Sequence, residues 1–425
     1  MKEEELRRGI GRLGYSAIAL NGVIGAGIFG LPAVAVARSG DFSPWLFLIC
    51  GALILTIVLS FARAASFFRS TGGPIAYADL AFGPFVGFQA GWLGYLSRVA
   101  AMGANANLLV TYAAWFWPGL DDGITRSISI TLILVGLTTL NIIGVRSGMA
   151  AIFVFTFFKL VPLSLLVLLG LGQVSPGLML GAQPPAFHTL GETILVVLYA
   201  FVGFEGAVIP AGEGRKPHRD IPRALFLTVL GITAFYFLIQ WVSISVMPDL
   251  GSSRTPLADV AGILMGPVGA TLLTVGAVFS IGGNLSASLL GAPRMTYVMA
   301  LDGRLPAWLA KVHPHYQVPI NSVLFYGALS LALALTGTFI WLAVMSTLVR
   351  LLMYSIAIAS LPRLEKHGEK HDGQFTVPGG YTIPLIALLL CGWLVTHASM
   401  HAWLTTAVFF LIGSALYAWE RRKRR

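Results

Sequence analysis

The chain has 425 residues, of which 56% are hydrophobic and only 11% charged, with a formal net charge of +10 and a mean hydropathy of +0.80. A globular surface facing water needs about 25% charged residues, so most of this surface faces another medium, and lipid is the one that fits. The basic residues cap apolar runs instead of forming a basic face or alternating with aromatic platforms, which excludes nucleic acid as their partner, and two cysteines, Cys50 and Cys391, each inside an apolar run, exclude a disulfide scaffold.

The opening MKEEELRRGIGRLG is charged, and the apolar segment behind it is too long and glycine-rich for a cleavable leader, so no processing is expected. A membrane-spanning helix needs about 20 mostly apolar residues. Runs that meet this are predicted near 14–38, 42–68, 84–117, 126–144, 149–171, 189–213, 222–247, 257–292, 319–337, 339–360, 381–397 and 400–419. The expectation is twelve transmembrane helices in an all-α integral membrane protein. Lysine and arginine should concentrate on the cytoplasmic side. Of the 28, 22 fall in the alternate segments that begin with the N-terminus, while Arg38, Arg126 and Arg254 occupy the opposite loops and Arg98, Lys159 and Arg350 lie inside spans. Both termini are therefore expected in the cytoplasm, with the ERRKRR tail against anionic lipid.

The first span reads NGVIGAGIFGLP from Asn21 to Pro32, with Gly22, Gly25, Gly27 and Gly30 at mid-membrane. Each glycine costs about 1 kcal/mol relative to alanine in a helix, and unwound backbone at this depth survives only where it lines a cavity or is buried in protein. Close packing through small residues is the competing explanation. The sixth span carries a matching irregularity, YAFVGFEGAVIPAGEG at 199–214, with Gly203 and Gly206 around Glu205. A carboxylate there is tolerable at the N-terminus of a new half-helix, or protonated. Two interrupted spans five apart are the pattern of inverted-repeat transporters, in which the break exposes N–H groups to an anion and carbonyls to a cation. A zwitterion suits both.

These residues resemble the amino acid–polyamine–organocation superfamily of amino acid permeases. The resemblance is carried by GVIGAGIFGLP, FRSTGGPIAYADLAFGP, FVGFEG, EGRKPHRDIPRAL and APRMTYVMALDGRLPAWLAKVHP, and covers nearly the whole chain. It implies a leucine-transporter-type fold of two inverted five-helix repeats, one over residues 1–171 and one over 189–360, with helices 1 and 6 broken, and two peripheral helices and the tail over 381–425. It also implies alternating access to a central amino acid site, no cofactor, and a bacterial or archaeal inner membrane. By the same resemblance, the substrate carboxylate meets the N–H groups of Gly25, Ala26 and Gly27. The amine meets carbonyls near Val23 and Ile24 and those of Tyr199, Ala200 and Val202. Selectivity is then expected from Ala26, Phe201, Val202, Phe204 and the third span near Ser97, a lining suited to a neutral side chain.

Lys159 lies about ten residues, or 15 Å, into its helix. It either stretches its stem to the inner surface or, as the resemblance to proton-coupled members implies, holds its ammonium where sodium-driven relatives hold a sodium ion. The second reading makes Lys159, with Glu205, the proton-coupling group, and symport sodium-independent. Arg98 departs from the better-known members. It is expected either to pair with Glu205, to contact an acidic substrate side chain, or to anchor backbone carbonyls.

Asn105 and Asn107, and the stripe Ser280, Asn284 and Ser288, read as helix-to-helix glue at least as well as site residues; Arg350 and Tyr354 read as a packing pair. The cluster Glu213, Arg215, Lys216, His218, Arg219, Asp220 and Arg223 reads as topology charges, and the pairs His313 with His315 and His397 with His401 lack the further ligands a metal needs. No GxSxG, HExxH or GxxxxGK[ST] is present, so a membrane-embedded enzyme lacks its machinery, and an asymmetric chain with isolated buried charges does not suit a passive channel. A secondary transporter of an L-amino acid with a proton is the expected function, with sodium-independent exchange as the alternative. A monomer fits this surface as readily as a dimer.

Overall fold

A computed structural model describes residues 10–68, 73–143, 149–209, 214–368, 375–377 and 379–423. Lys2, Arg7, Arg8, Arg69, Arg146, Pro210, Glu213, Lys370, Arg424 and Arg425 lie outside these residues. The described chain is helical throughout and contains no strand. Its helices in order are α1 (Arg12–Val23), α2 (Gly27–Ser39), α3 (Ser43–Ala65), α4 (Pro74–Phe82), α5 (Pro84–Ala113), α6 (Gly123–Ile143), α7 (Met149–Gly170), α8 (Pro176–Leu180) and α9 (Phe187–Val197). The second half continues with α10 (Pro217–Val246), α11 (Pro256–Leu301), α12 (Ile320–Thr336), α13 (Phe339–Ala359), α14 (Leu361–His367), α15 (Thr382–Val395) and α16 (Met400–Lys423). Proline stands in the first turn of α3, α4, α5, α10 and α11, where its missing N–H costs nothing.

Each expected run contains helix among the described residues, but length and composition qualify only eight stretches there as membrane-crossing, with Gly27–Ala65 taken as one and two shorter apolar helices, α12 and α15, beside them. The shortfall from twelve has physical causes. The first break cuts α1 to twelve residues, so that the first two expected runs contribute the single stretch Gly27–Ala65; α12 and α15 are short, and α5 carries Gln89, Arg98, Asn105 and Asn107 along its length. The polar load of α5 is sheltered, because the helix is buried along most of its length and packs against α13, α11, α12 and α4. The outer faces of α6, α10, α15 and α16 present Leu132, Val135, Leu230, Leu389 and Leu411. Water would not tolerate so broad an apolar surface.

Near its start α11 bends at Gly266, whose φ of 67° and ψ of −163° leave the helical region immediately before Pro267. Ion pairs close both ends of the bundle. Asp121 receives Arg126 and Arg254 and so joins the α5–α6 connection to the α10–α11 connection. At the other end Arg304 grips Asp79 through two bonds of 2.9 and 2.7 Å, fastening α4 to the segment after α11.

Candidate functional site

The first break separates α1 from α2 at residues 24–26. Ile24 leaves the helix (ψ 85°), and the Gly25 N–H turns back to the Val23 carbonyl at 2.9 Å. The N–H groups of Phe29 and Gly30 both reach the Ala26 carbonyl, and no side chain caps α2. The first-turn N–H groups of α2, those of Gly27 and Ile28, therefore point out of the helix with the positive end of its dipole.

The carbonyl end of α1 is served from α7. Fully buried Lys159 places Nζ 2.5 Å from Asn21 Oδ1 and 2.7 Å from the Ile24 carbonyl, which also receives Ser280 Oγ at 3.4 Å. The lysine is turned into the break and not toward a membrane surface. A cation at a helix C-terminus is favoured by the dipole. With two donors on it, the Ile24 oxygen has no lone pair left for a substrate amine, and the Gly25 N–H expected for the carboxylate is committed to Val23.

The second break follows α9. One 3₁₀ turn spans Leu198–Ala200, Gly203 adopts a φ of 113°, and a second 3₁₀ turn spans Phe204–Ala207. Glu205 sits in that second turn. Its Oε2 accepts the Gly203 N–H at 3.0 Å and the Tyr354 hydroxyl at 2.8 Å, while Oε1 lies 2.9 Å from Arg350 Nε in a contact of charge. The carboxylate is thus held between the opened backbone on one side and a guanidinium on the other.

The two breaks meet backbone to backbone. A Cβ on Gly22 would stand 2.6 Å from the Gly203 oxygen, and one on Gly27 would stand 2.5 Å from Ala200 Cα. Gly203→Ala is expected to lower the melting temperature far more than Gly206→Ala. It adds a left-handed residue at about 1–2 kcal/mol to a clash with Gly22, whereas a Cβ on Gly206 meets nothing within 4 Å. Thermal melts of the two purified variants decide this, and equal melts would mean that the contact carries no constraint.

Between the breaks lies a cleft with about 290 Å³ of empty space, open solvent included, lined by Gly22, Val23, Gly25, Ala26 and Gly27 on one side, Tyr199 and Val202 on the other, and Asn105, Asn284 and Arg350, with Ala101. A directed hydrogen-bond chain crosses it. The Tyr199 hydroxyl donates to Asn105 Oδ1 at 2.7 Å, and Asn105 Nδ2 donates to Asn284 Oδ1 at 2.8 Å. The amide nitrogen of Asn284 is left against Gly25.

Several expected residues face elsewhere. Ser97 is buried between its own helix, where it donates to the Gly94 carbonyl, and α13, where its carbonyl receives Ser346. Phe201 packs on Phe47 and Tyr236. Phe204 packs on Phe61 and Tyr354 beneath the Glu205 pair. Ala200 is spent on the contact with Gly27. Arg98 is not the partner of Glu205, because Arg350 is; half-buried, it makes no hydrogen bond or ion pair with any described residue through its side chain, so it anchors no carbonyl there either. Arg350 and Tyr354 both close on Glu205 and are more than a packing pair. Asn105, Asn284 and Arg350 are visible in the sequence as polar residues within spans, and what the sequence lacks is the face each presents.

The chain matches a family model described as amino acid permease over residues 10–418. It is 26% identical to a serine/threonine exchanger of Bacillus subtilis, covering 99% of both chains. It is 24% identical to a methylthioribose transporter of the same organism, over 99% of this chain and 95% of the relative. A branched-chain amino acid permease of Bacillus subtilis is also 24% identical, over 99% of this chain and 94% of the relative.

Proposed function

The chain belongs to the amino acid permease family, and from that membership and the cleft between its two broken helices we propose that it is a secondary active transporter of L-amino acids. The observation that carries the proposal is the meeting of two unwound segments across one cleft. Uncapped N–H groups of α2 supply donors for a carboxylate, and the carbonyls opened at Tyr199 to Val202 supply acceptors for an amine. The names of the relatives, two of which specify amino acids, support this substrate class.

The transport cycle is alternating access, with the chain crossing the membrane twelve times as two inverted repeats, 1–171 and 189–360, and the peripheral helices after them. Both termini lie in the cytoplasm, a placement supported by the distribution of lysine and arginine. Coupling is to a proton through Lys159, whose ammonium grips the Ile24 carbonyl and Asn21 and whose release frees that end of α1. Sodium-independent exchange is the second reading, favoured by the likeness to a named exchanger. Of the residues behind the expectation of a neutral side chain, Ala26 and Val202 line the cleft, while Ser97, Phe201 and Phe204 do not.

Purified protein in proteoliposomes tests the proposal. Uptake of a radiolabelled amino acid should saturate with concentration, discriminate L from D, and be driven by an imposed pH gradient. Flux that rises linearly and ignores stereochemistry would replace the transporter with a channel, and flux that needs an amino acid inside the vesicle would favour exchange.

A further inference from the structure

We propose that the cleft is built for an amino acid whose side chain bears a carboxylate, with Arg350 receiving it and Arg98 reinforcing it, an inference that rests on the amino acid transport proposed above. Charge comes first. Around the cleft the described spans hold three cations, Lys159, Arg98 and Arg350, against one carboxylate, Glu205. Lys159 is met by an amide oxygen and a carbonyl, both neutral. Glu205 is in direct contact with Arg350, and Arg98, whose charge also acts on Glu205, makes no ion pair or side-chain hydrogen bond of its own with a described residue, so one carboxylate faces two guanidinium groups. Unbalanced charge at this depth is expensive, and a zwitterion adds none. An acidic amino acid adds one negative charge where it is missing.

Donor geometry points the same way. The Arg350 side chain is only 7% exposed, yet of its five N–H donors only one at Nη1, 3.3 Å from Ser346 Oγ, makes a hydrogen bond to a described residue, Nε lying beside Glu205 in a contact of charge alone. Nη2 makes no hydrogen bond to any described residue, and Arg350 lines the cleft. A planar guanidinium with a free edge is suited to a second carboxylate, the α-carboxylate being served by the first turn of α2. The chain from Tyr199 through Asn105 to Asn284 also ends in a donor at the cleft. Of the first break's carbonyls, that of Ile24 already receives two donors and that of Val23 one. The free acceptors therefore lie across the cleft at Tyr199 and Val202, while the Arg350 edge and the Asn284 amide present donors, and a side chain that only accepts suits that side of it.

Arg98 has the position to contribute. It lies three residues before Ala101 and seven before Asn105, both of which line the cleft, so the three share one face of α5. Its neighbour Ser97 is bonded to Ser346, one turn before Arg350 on α13, which brings the two arginines to the same level of the bundle.

The test is equilibrium binding to the purified chain in lipid nanodiscs, with L-glutamate and L-aspartate against their neutral isosteres L-glutamine and L-asparagine. The wild type should bind an acidic amino acid about 10-fold or more tightly than its amide, and Arg350→Gln should erase that preference, a loss of about 10- to 100-fold. Arg350→Lys should keep part of it. Because Arg350→Gln strands Glu205, the double variant Arg350→Gln with Glu205→Gln removes both charges together, and Arg98→Gln breaks no hydrogen bond or ion pair of the described structure; both should lose preference while melting cooperatively. Binding confined to neutral amino acids would overturn the inference and leave amino acid transport standing. Acidic binding indifferent to Arg350 and Arg98 would overturn the assignment of these residues. A folded wild type that binds no amino acid would remove the inference together with the transport reading beneath it.

Discussion

Lys159→Ala is expected to abolish accumulation driven by a pH gradient, so that uptake into proteoliposomes falls to the level reached without the gradient. The amine reaches the end of α1 from α7 through Asn21 and the Ile24 carbonyl, with Ser280 adding a longer contact from α11. Its removal leaves buried acceptors without a strong donor, at about 1–3 kcal/mol each, so some loss of melting temperature will accompany the functional defect. Two further variants separate these effects. Lys159→Met keeps the bulk without the charge, and Lys159→Arg keeps a charge that proteins do not deprotonate. The arginine variant should bind substrate yet lose the dependence of uptake on pH, because its cation cannot let go of α1 by losing a proton. Uptake as pH-dependent in Lys159→Ala as in the wild type would remove Lys159 from the coupling mechanism.

Glu205→Ala is expected to cause the largest loss of stability of any single change in the site. Three contacts disappear together: the charge contact with Arg350, the hydroxyl of Tyr354 and the N–H of Gly203. What makes the loss large is the charge left behind. Removing one member of a buried pair strands the other at about 3–5 kcal/mol, and here both side chains are at least nine-tenths buried at membrane depth. Glu205→Gln keeps an acceptor for Tyr354 and Gly203 and isolates the contribution of charge. Combining it with Arg350→Gln removes the stranded guanidinium, so the double variant should melt above Glu205→Gln alone. Additive losses in that thermal double-mutant cycle would show that the two side chains do not depend on each other.

The broken helices are legible in the sequence because glycine leaves a signature in an apolar run that little else produces, and Lys159 is legible because about 15 Å of hydrocarbon is a long way for a lysine to reach. The partner of Glu205 is not. Sequence spacing reveals neighbours three and four residues apart, which is why Arg350 and Tyr354 read as a pair with each other; that both converge on a residue far earlier in the chain depends on how α13 docks beside the second break. The lining fails at Phe201 and Phe204 for a different reason. A 3₁₀ turn advances about 120° per residue against about 100° in an α-helix, so the turn at Leu198–Ala200 rotates the residues after it by about 60° relative to a continuous helix. That carries Phe201 onto Phe47 and Tyr236. Helical phase is lost where a helix unwinds, which is also where the site is.

The last helix constrains the order in which the bundle can be completed. Trp92 gives its indole N–H to the Phe409 carbonyl at 2.9 Å and Gln89 donates to Ser414 at 2.8 Å, while the bare backbone of Gly413 admits the indole face. Both donors are made early, on α5, and their acceptors come only with α16, near the end of the chain. Until the ribosome delivers α16, these two polar groups wait in the bilayer with nothing to receive them, and hydrocarbon offers no substitute. α16 is thus a late-arriving closure for one flank of α5, and a nascent chain halted before it is an assembly intermediate with that flank open, the kind of surface on which membrane quality control acts.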